Sequence, residues 1–227
     1  MAFAQGSRPL ELLKELIRQY KEAQGMPSRN LERVYQLDAN RINARQKDPF
    51  INQLEKWHRN KMIFLEMALP AFEEAGRGSS TRSEKADEYT WISTNDSIGG
   101  EEEYRRKIEK ILFPNGAKDQ NERNDVLILF TAQRAGATLV TNDGGSGRQR
   151  GGMLGNSKAL ADIGIRVLSA QSAMAEIRCL IRVRDQMARR VAACTGVRLP
   201  RWVGKDDPEN SLAGPSIGSK ESKHETL

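Results

Sequence analysis

Two short apolar runs in this chain each close on an aspartate: Val34-Tyr-Gln-Leu-Asp38 and Ala137-Thr-Leu-Val-Thr-Asn-Asp143. Short apolar runs rich in β-branched residues fit buried strands. A strand that ends on an acid delivers a carboxylate to the edge of a sheet. Two further acids stand at the borders of other signals. Glu74 ends the stretch that begins at Ile63, just before Gly76, and Asp125 opens an apolar, helix-like stretch. Carboxylates on several converging element ends are what a hard divalent cation needs, because Mg²⁺ and Mn²⁺ prefer oxygen ligands and usually keep waters. Such a cluster supports phosphodiester chemistry without histidine or cysteine.

Between these acids, helical and strand periods alternate. Leu12, Leu13, Leu16, Ile17 and Tyr20 give an amphipathic helix over 9–23, and a strand follows at 33–38. Phe50, Ile51, Leu54 and Trp57 repeat at helical spacing. Residues 63–67 read as a strand, and 69–74 as a helix with Pro70 tolerated in its first turn. The stretch 76–100 is rich in Gly, Ser, Thr and charge without a sustained period, and is expected to be an exposed, partly helical insertion. Helices at 101–112 and 125–135, the latter capped by Gly136, precede a strand at 138–141. A glycine-rich loop at 144–155, a short helix at 158–163 and a strand at 165–168 complete the series. Strands alternating with helices predict an α/β fold with a central parallel sheet flanked by helices.

With 227 residues, 38% hydrophobic and 6% aromatic, the chain holds one sizeable core with polar insertions or tails. The expected organisation is an N-terminal helical extension over 1–30, a domain over 31–175, a basic amphipathic helix over 176–204 and a disordered polar tail over 205–227. The net charge is +6, which suits a polyanionic partner but is also common on proteins that touch no nucleic acid. The excess is local: seven arginines face only Glu176 and Asp185 between 176 and 204. Arg178, Arg182, Arg184, Arg189 and Arg190 are interleaved there with Met174, Ile177, Leu180, Ile181, Met187 and Val191. That pattern favours packing, on the domain, the N-terminal helix or a second subunit, over direct contact with nucleic acid; a homodimer suits the apolar stripes of both terminal helices. No apolar run reaches the roughly 20 residues of a membrane span, and the N-terminus lacks a secretory core. Cys179 and Cys194 on one helix would stand over about 20 Å apart, too far for a disulfide. A cytoplasmic, reduced protein is expected.

The segment Asn124-Asp-Val-Leu-Ile-Leu-Phe-Thr-Ala-Gln-Arg-Ala-Gly-Ala-Thr-Leu-Val-Thr-Asn-Asp143 closely resembles the PIN-domain pattern: an Asp opening a buried helix, Ala-rich packing, a Gly-Ala turn, and a strand ending Thr-x-Asp. Leu37-Asp-Ala-Asn40 resembles that family's opening Leu-Asp-Thr-Asn, and 63–74 its second strand and acidic helix end. The order and approximate spacing of all four acids agree over roughly 31–175. The resemblance implies a PIN-like domain whose Asp38, Glu74, Asp125 and Asp143 are metal ligands and catalytic residues for Mg²⁺ or Mn²⁺. It implies a ribonuclease acting on RNA, and for toxin members of the family an antitoxin-like protein partner. The added length at both ends and the 76–100 insertion argue against a minimal toxin. Glu73, next to Glu74, is the alternative ligand. The rival class is a non-catalytic PIN-fold module that binds nucleic acid or protein.

Four residues are candidates for substrate contact. Asn40 has the choice of orienting a carboxylate or holding a water, and Thr141 of meeting a phosphate or a neighbouring acid. Asn124 and Asn142 also flank acids, where asparagine is common in turns anyway. The loop 144–152 does not contain the Gly-x-x-x-x-Gly-Lys-[Ser/Thr] of a phosphate loop. Its Arg148 and Arg150 are instead placed to meet a backbone phosphate, with an ordinary solvated loop as the rival reading. Carboxylates this close repel one another, so some of their pKa values should be raised unless a cation is present.

Overall fold

The computed structural model describes residues 25–77, 80–92, 101–144 and 151–207. The expected N-terminal helix, Arg148, Arg150 and residues 208–227 lie outside the described residues. The chain divides into two compact units, Ser28–Leu180 and a second formed by Met1–Pro27 with Ile181–Leu227.

The larger unit is built on five parallel strands: β1 (Val34–Leu37), β2 (Phe64–Ala68), β3 (Thr90–Ile92), β4 (Thr138–Val140) and β5 (Arg166–Leu168). They lie in the order β3-β2-β1-β4-β5. Leu37 pairs with Met67 on one side and Val140 on the other. Parallel neighbours need a crossover, and helices supply each one. They are α1 (Pro49–Arg59), α2 (Leu69–Gly76), α3 (Ser80–Ala86), α4 (Glu101–Leu112), α5 (Gln120–Arg134) and α6 (Ser157–Asp162), and α7 (Ala170–Thr195) follows the last strand. The α/β class with a central parallel sheet is therefore as the alternating periods predict.

Local chemistry sets the helix ends. Asp48 caps α1, accepting from the N–H groups of Phe50 and Ile51 at 2.9 and 3.2 Å, with Pro49 at the first helical position. The inward stripe of α1, Ile51, Leu54 and Trp57, is fully buried, each aliphatic member contributing roughly 1.5–3 kcal/mol. Helix α5 starts at Gln120 and is capped by Asp119, whose carboxylate accepts from Glu122 N–H at 3.0 Å. Asp125 thus lies in the second turn and does not open the helix, so capping does not explain an acid at this position.

The segment 76–100 corrects the sequence reading most clearly. It contains α3 and the edge strand β3, which pairs with β2 through Met67 and Trp91. A charged cluster anchors it. Glu55, 2% exposed, accepts from the Tyr89 hydroxyl at 2.5 Å and pairs with Lys85 at 3.1 Å. Burial and the neighbouring Glu55 raise the Tyr89 pKa. A helix held by ion pairing leaves no apolar period to read.

One polar pair crosses the sheet interior. Gln36 and Glu66 are register partners, so their side chains share a face. Each is buried, and each has an Oε1 atom without a hydrogen-bond partner. Desolvation raises the Glu66 pKa from 4.5 to about 7. The neutral acid is therefore favoured by folding, and its stabilising contribution, complete below about pH 4.5, is lost as pH rises through about 7. Glu66→Gln should flatten the dependence: in chelator, wild type should lose several degrees more of melting temperature between pH 5.5 and 8 than the variant. Parallel melting curves would exclude Glu66 as a source of the slope.

In the smaller unit, the C-terminal half of α7 and the turns after it are tied together by Arg184. This arginine is buried, pairs with Asp185 at 2.7 Å and Asp206 at 2.9 Å, and lies 4.3 Å from the Trp202 ring centre. The Gly204 N–H donates to Asp185 at 2.7 Å. Two expectations change. Arg184 is occupied within the fold, unlike a solvent-facing basic residue, and Asp206 and Asp207 are buried where the polar tail was expected to begin. Ile177, Ile181 and Ala188 are buried along α7, whereas Met187 is 55% exposed. Among the described residues, no helix is long and apolar enough to cross a membrane.

Candidate active site

From β1 the chain moves outward to β2 and β3, then returns to the other side of β1 as β4. Such a reversal opens a crevice at the carboxyl ends of the two central strands, the place where open parallel sheets bind ligands. Asp38 follows β1 there, and Thr141, Asn142 and Asp143 follow β4.

Hydrogen bonds stitch the two strand exits together. The Thr141 hydroxyl donates to Asp38 Oδ2 at 2.6 Å, and the Asn40 amide donates to the same oxygen at 2.6 Å. Thr141 Oγ1 accepts the Asp143 N–H at 3.0 Å, while Asn40 Oδ1 accepts the Asn142 N–H at 3.1 Å. Thr141 is fully buried, so a phosphate would reach its hydroxyl only by displacing the bond to Asp38. Asn40 and Thr141 orient the acid, one of the two roles open to each. Asp143 is held from the far side of its loop, its Oδ2 accepting the Met153 N–H at 2.8 Å.

Asp125 comes from α5 and Glu74 from the last turn of α2; Asp125 is half-buried and Glu74 exposed. Burial, above all, raises Asp38 from 3.8 to about 6, with the charges of Glu74 and Asp143 adding to it against the Thr141 bond, which lowers it. Burial also leads for Asp125, raised from 3.8 to about 7, followed by the charges of Asp38, Asp143 and Glu74. The charges of Glu74 and Asp143 thus act on both Asp38 and Asp125. None of the four forms an ion pair among the described residues.

The donor set is all oxygen, which fits a hard cation. Among the described residues, no three His, Cys, Asp or Glu side chains gather closely enough to hold a metal ion together. Mg²⁺ is commonly held by one or two carboxylates with waters completing its shell, so the chemistry of this edge suits it without a closed cage. Among the described residues, the one histidine lies away from this edge. His58 Nδ1 accepts from the Leu65 N–H at 3.1 Å, at the amino end of β2 and so at the opposite edge of the sheet.

A cleft of about 290 Å³ opens on Asp125 and Asp143, bounded by Leu112, Phe113, Gly151 and Gly152. Its floor explains two glycines. Gly144 has φ +75°, and a Cβ there would lie 2.9 Å from the Gly152 backbone; a Cβ on Gly152 would collide with the Asp143 carboxylate. Gly152→Ala should therefore displace Asp143, lowering metal-dependent cleavage roughly 10- to 100-fold, the usual cost of disturbing a ligand's support, with little change in melting temperature. Unchanged cleavage would show that Asp143 is not needed in this position.

No protein-family model matches the chain, and no curated protein matches it. Among solved structures it is similar to a chain in the crystal structure of VapBC2 from Rickettsia felis bound to a DNA fragment from their promoter. The match has 20% identity, covers 60% of this chain and 98% of that one, and has a TM-score of 0.38. What defines this protein is its own architecture: an α/β domain with a parallel sheet and an acidic cluster at the carboxyl edge of its two central strands.

Proposed function

We propose that this protein is a divalent-metal-dependent ribonuclease that hydrolyses RNA phosphodiester bonds at the acidic edge. The observation that carries this reading is the placement of Asp38 and Asp143 at the exits of β1 and β4, joined through Thr141, with Asp125 lining the same cleft as Asp143 and none of these acids ion-paired among the described residues. Buried like charges are costly unless something compensates them, and a cation does so. One or two of Asp38, Asp125 and Asp143 would hold it directly and the others through its waters, with Glu74 as a further ligand or as an acceptor that positions water. Bound there, Mg²⁺ or Mn²⁺ would supply Lewis acidity to the phosphodiester and favour ionisation of the attacking water.

The chain's own residues do the rest. Thr141 and Asn40 fix Asp38 through its Oδ2. The Met153 N–H fixes Asp143, and α5 delivers Asp125 from the opposite wall. In hydrolysis, water oxygen bonds to phosphorus, the bond to the leaving oxygen breaks, and that oxygen takes up a proton. The test is incubation of labelled single-stranded RNA with the purified protein in Mg²⁺, Mn²⁺ or chelator. Cleavage only with metal supports the reading, and equal products in chelator would overturn it.

A second reading, a PIN-like binding module, has one observation in its favour: among the described residues, no three His, Cys, Asp or Glu side chains are close enough to share an ion. Calorimetry separates the two, because a module binds RNA with the same affinity in chelator. An antitoxin-like partner belongs to the toxin version of the first reading, for which growth arrest on expression alone would be the sign.

A further inference from the structure

Beside the acidic edge lies a second cleft, of about 320 Å³, walled by Ile42, Arg45, Lys47, Thr81 and Arg82 and lined by no acid. Chain connectivity puts it next to Asp38, since only the short 3-10 turn Ala39–Arg41 separates that aspartate from the cleft's first residue. The Arg82 guanidinium spans the same gap, donating to the Ala39 carbonyl at 2.7 Å.

The loop that carries Arg45 and Lys47 is built to hold its shape. Buried Asn43 accepts from the N–H groups of Lys47 and Asp48 at 2.9 and 3.1 Å. It also donates to the Asp48 carbonyl at 3.0 Å and to Asn52 at 2.7 Å. Asp48, the loop's one acid, is committed to Arg41 and to capping α1. Arg45 and Lys47 are exposed, and neither has an ion-pair partner among the described residues. Cations on a rigid loop, next to carboxylates that repel a phosphate backbone, make an electrostatic match for a strand crossing from one cleft to the other.

We infer that this cleft binds a backbone phosphate of single-stranded RNA, neighbouring the one at the acidic edge, through Arg45, Lys47 and Arg82. Its placement relative to the cleaved bond rests on the nuclease reading; its affinity for the strand does not. Arg45 and Lys47 would set KM by holding the strand in register, and would leave the chemical step to the acids.

The experiment compares Arg45→Ala/Lys47→Ala with Lys56→Ala/Lys61→Ala. The second pair removes the same charge from exposed positions at the opposite edge of the sheet, where α1 returns the chain to β2. Binding of a fluorescent single-stranded RNA of about a dozen nucleotides is measured by anisotropy in the full-length Asp125→Asn background. Cleavage kinetics are measured in otherwise wild-type protein. The cleft pair should weaken binding at least about 10-fold and reduce the salt slope by about 0.7, the value for one phosphate contact on a single strand. It should raise KM and leave kcat within about twofold, while the control pair leaves binding, salt slope and KM unchanged. If cleavage proceeds with KM and salt slope unmoved by the cleft pair, the cleft proposal fails and the nuclease reading stands. If the cleft pair loses RNA binding but no form of the protein cleaves, the cleft stands and the nuclease reading fails. Equal losses in both pairs, or no RNA binding at all by wild type, would overturn the cleft.

Discussion

Asp38→Asn and Asp125→Asn should each reduce metal-dependent RNA cleavage by at least about 100-fold while leaving the protein folded. Asp38 is 5% exposed, and its Oδ2 takes two hydrogen bonds from Thr141 and Asn40. An asparagine in the same orientation accepts both bonds through its oxygen and keeps the strand exits joined. What it lacks is the charge. Asp125 is simpler, because among the described residues no hydrogen bond of its side chain has to be replaced. A loss confined to kcat in the asparagine variants, with unchanged melting, identifies the carboxylate as the missing element. Cleavage within a few-fold of wild type in both variants would remove these residues from the site.

The second large effect is on stability. Mn²⁺ at about 100 times its dissociation constant should stabilise the fold by about 2.7 kcal/mol, because it binds the native state only. For a chain of this size that is a rise of roughly 5–10 °C in melting temperature. The shift should grow with pH. The raised pKa values, about 6 for Asp38 and about 7 for Asp125, mean that protons occupy these groups in the metal-free fold. The stabilising contribution of the neutral forms is complete below their unfolded values near 3.8 and is lost as pH rises through 6 to 7, where metal takes over from protons. Melts in chelator and in Mn²⁺ at pH 5.5 and 8 check this. Asp143→Asn, which relieves repulsion, should match or exceed wild type without metal and respond less to it. An identical metal shift in wild type and Asp143→Asn would mean that Asp143 is no ligand.

The central strands were legible because their chemistry is local. Tyr35 and Leu37 on β1, and Leu139 and Val140 on β4, are buried, as central strands of a parallel sheet covered on both faces are. Asp38 and Asp143 could be placed at one edge because parallel strands share a direction. The parts that escaped are held by polar contacts distant in sequence. Helix α3 and strand β3 depend on Glu55 meeting Lys85 and Tyr89, 30 and 34 residues later, which no window of periodicity registers. The first turn of α5 is polar, so the apolar stretch marks only the helix's buried part; Asp119, the true cap, was visible but unread. Arg82 was hidden in the stretch taken for a solvated insertion, and only the fold brings it to the carbonyl next to Asp38. Thr141, by contrast, stood out by position, and what remained open was whether its hydroxyl faced an acid or a substrate.

The most direct test of the central claim is a Mn²⁺ titration in which single-turnover RNA cleavage and calorimetric metal binding are followed on the same protein, with Asp125→Asn beside it. The account predicts that cleavage is absent in chelator, rises with the same half-saturation as binding, and is lost with that binding in Asp125→Asn. Cleavage that persists in chelator, or metal binding that survives intact in Asp125→Asn, would contradict it.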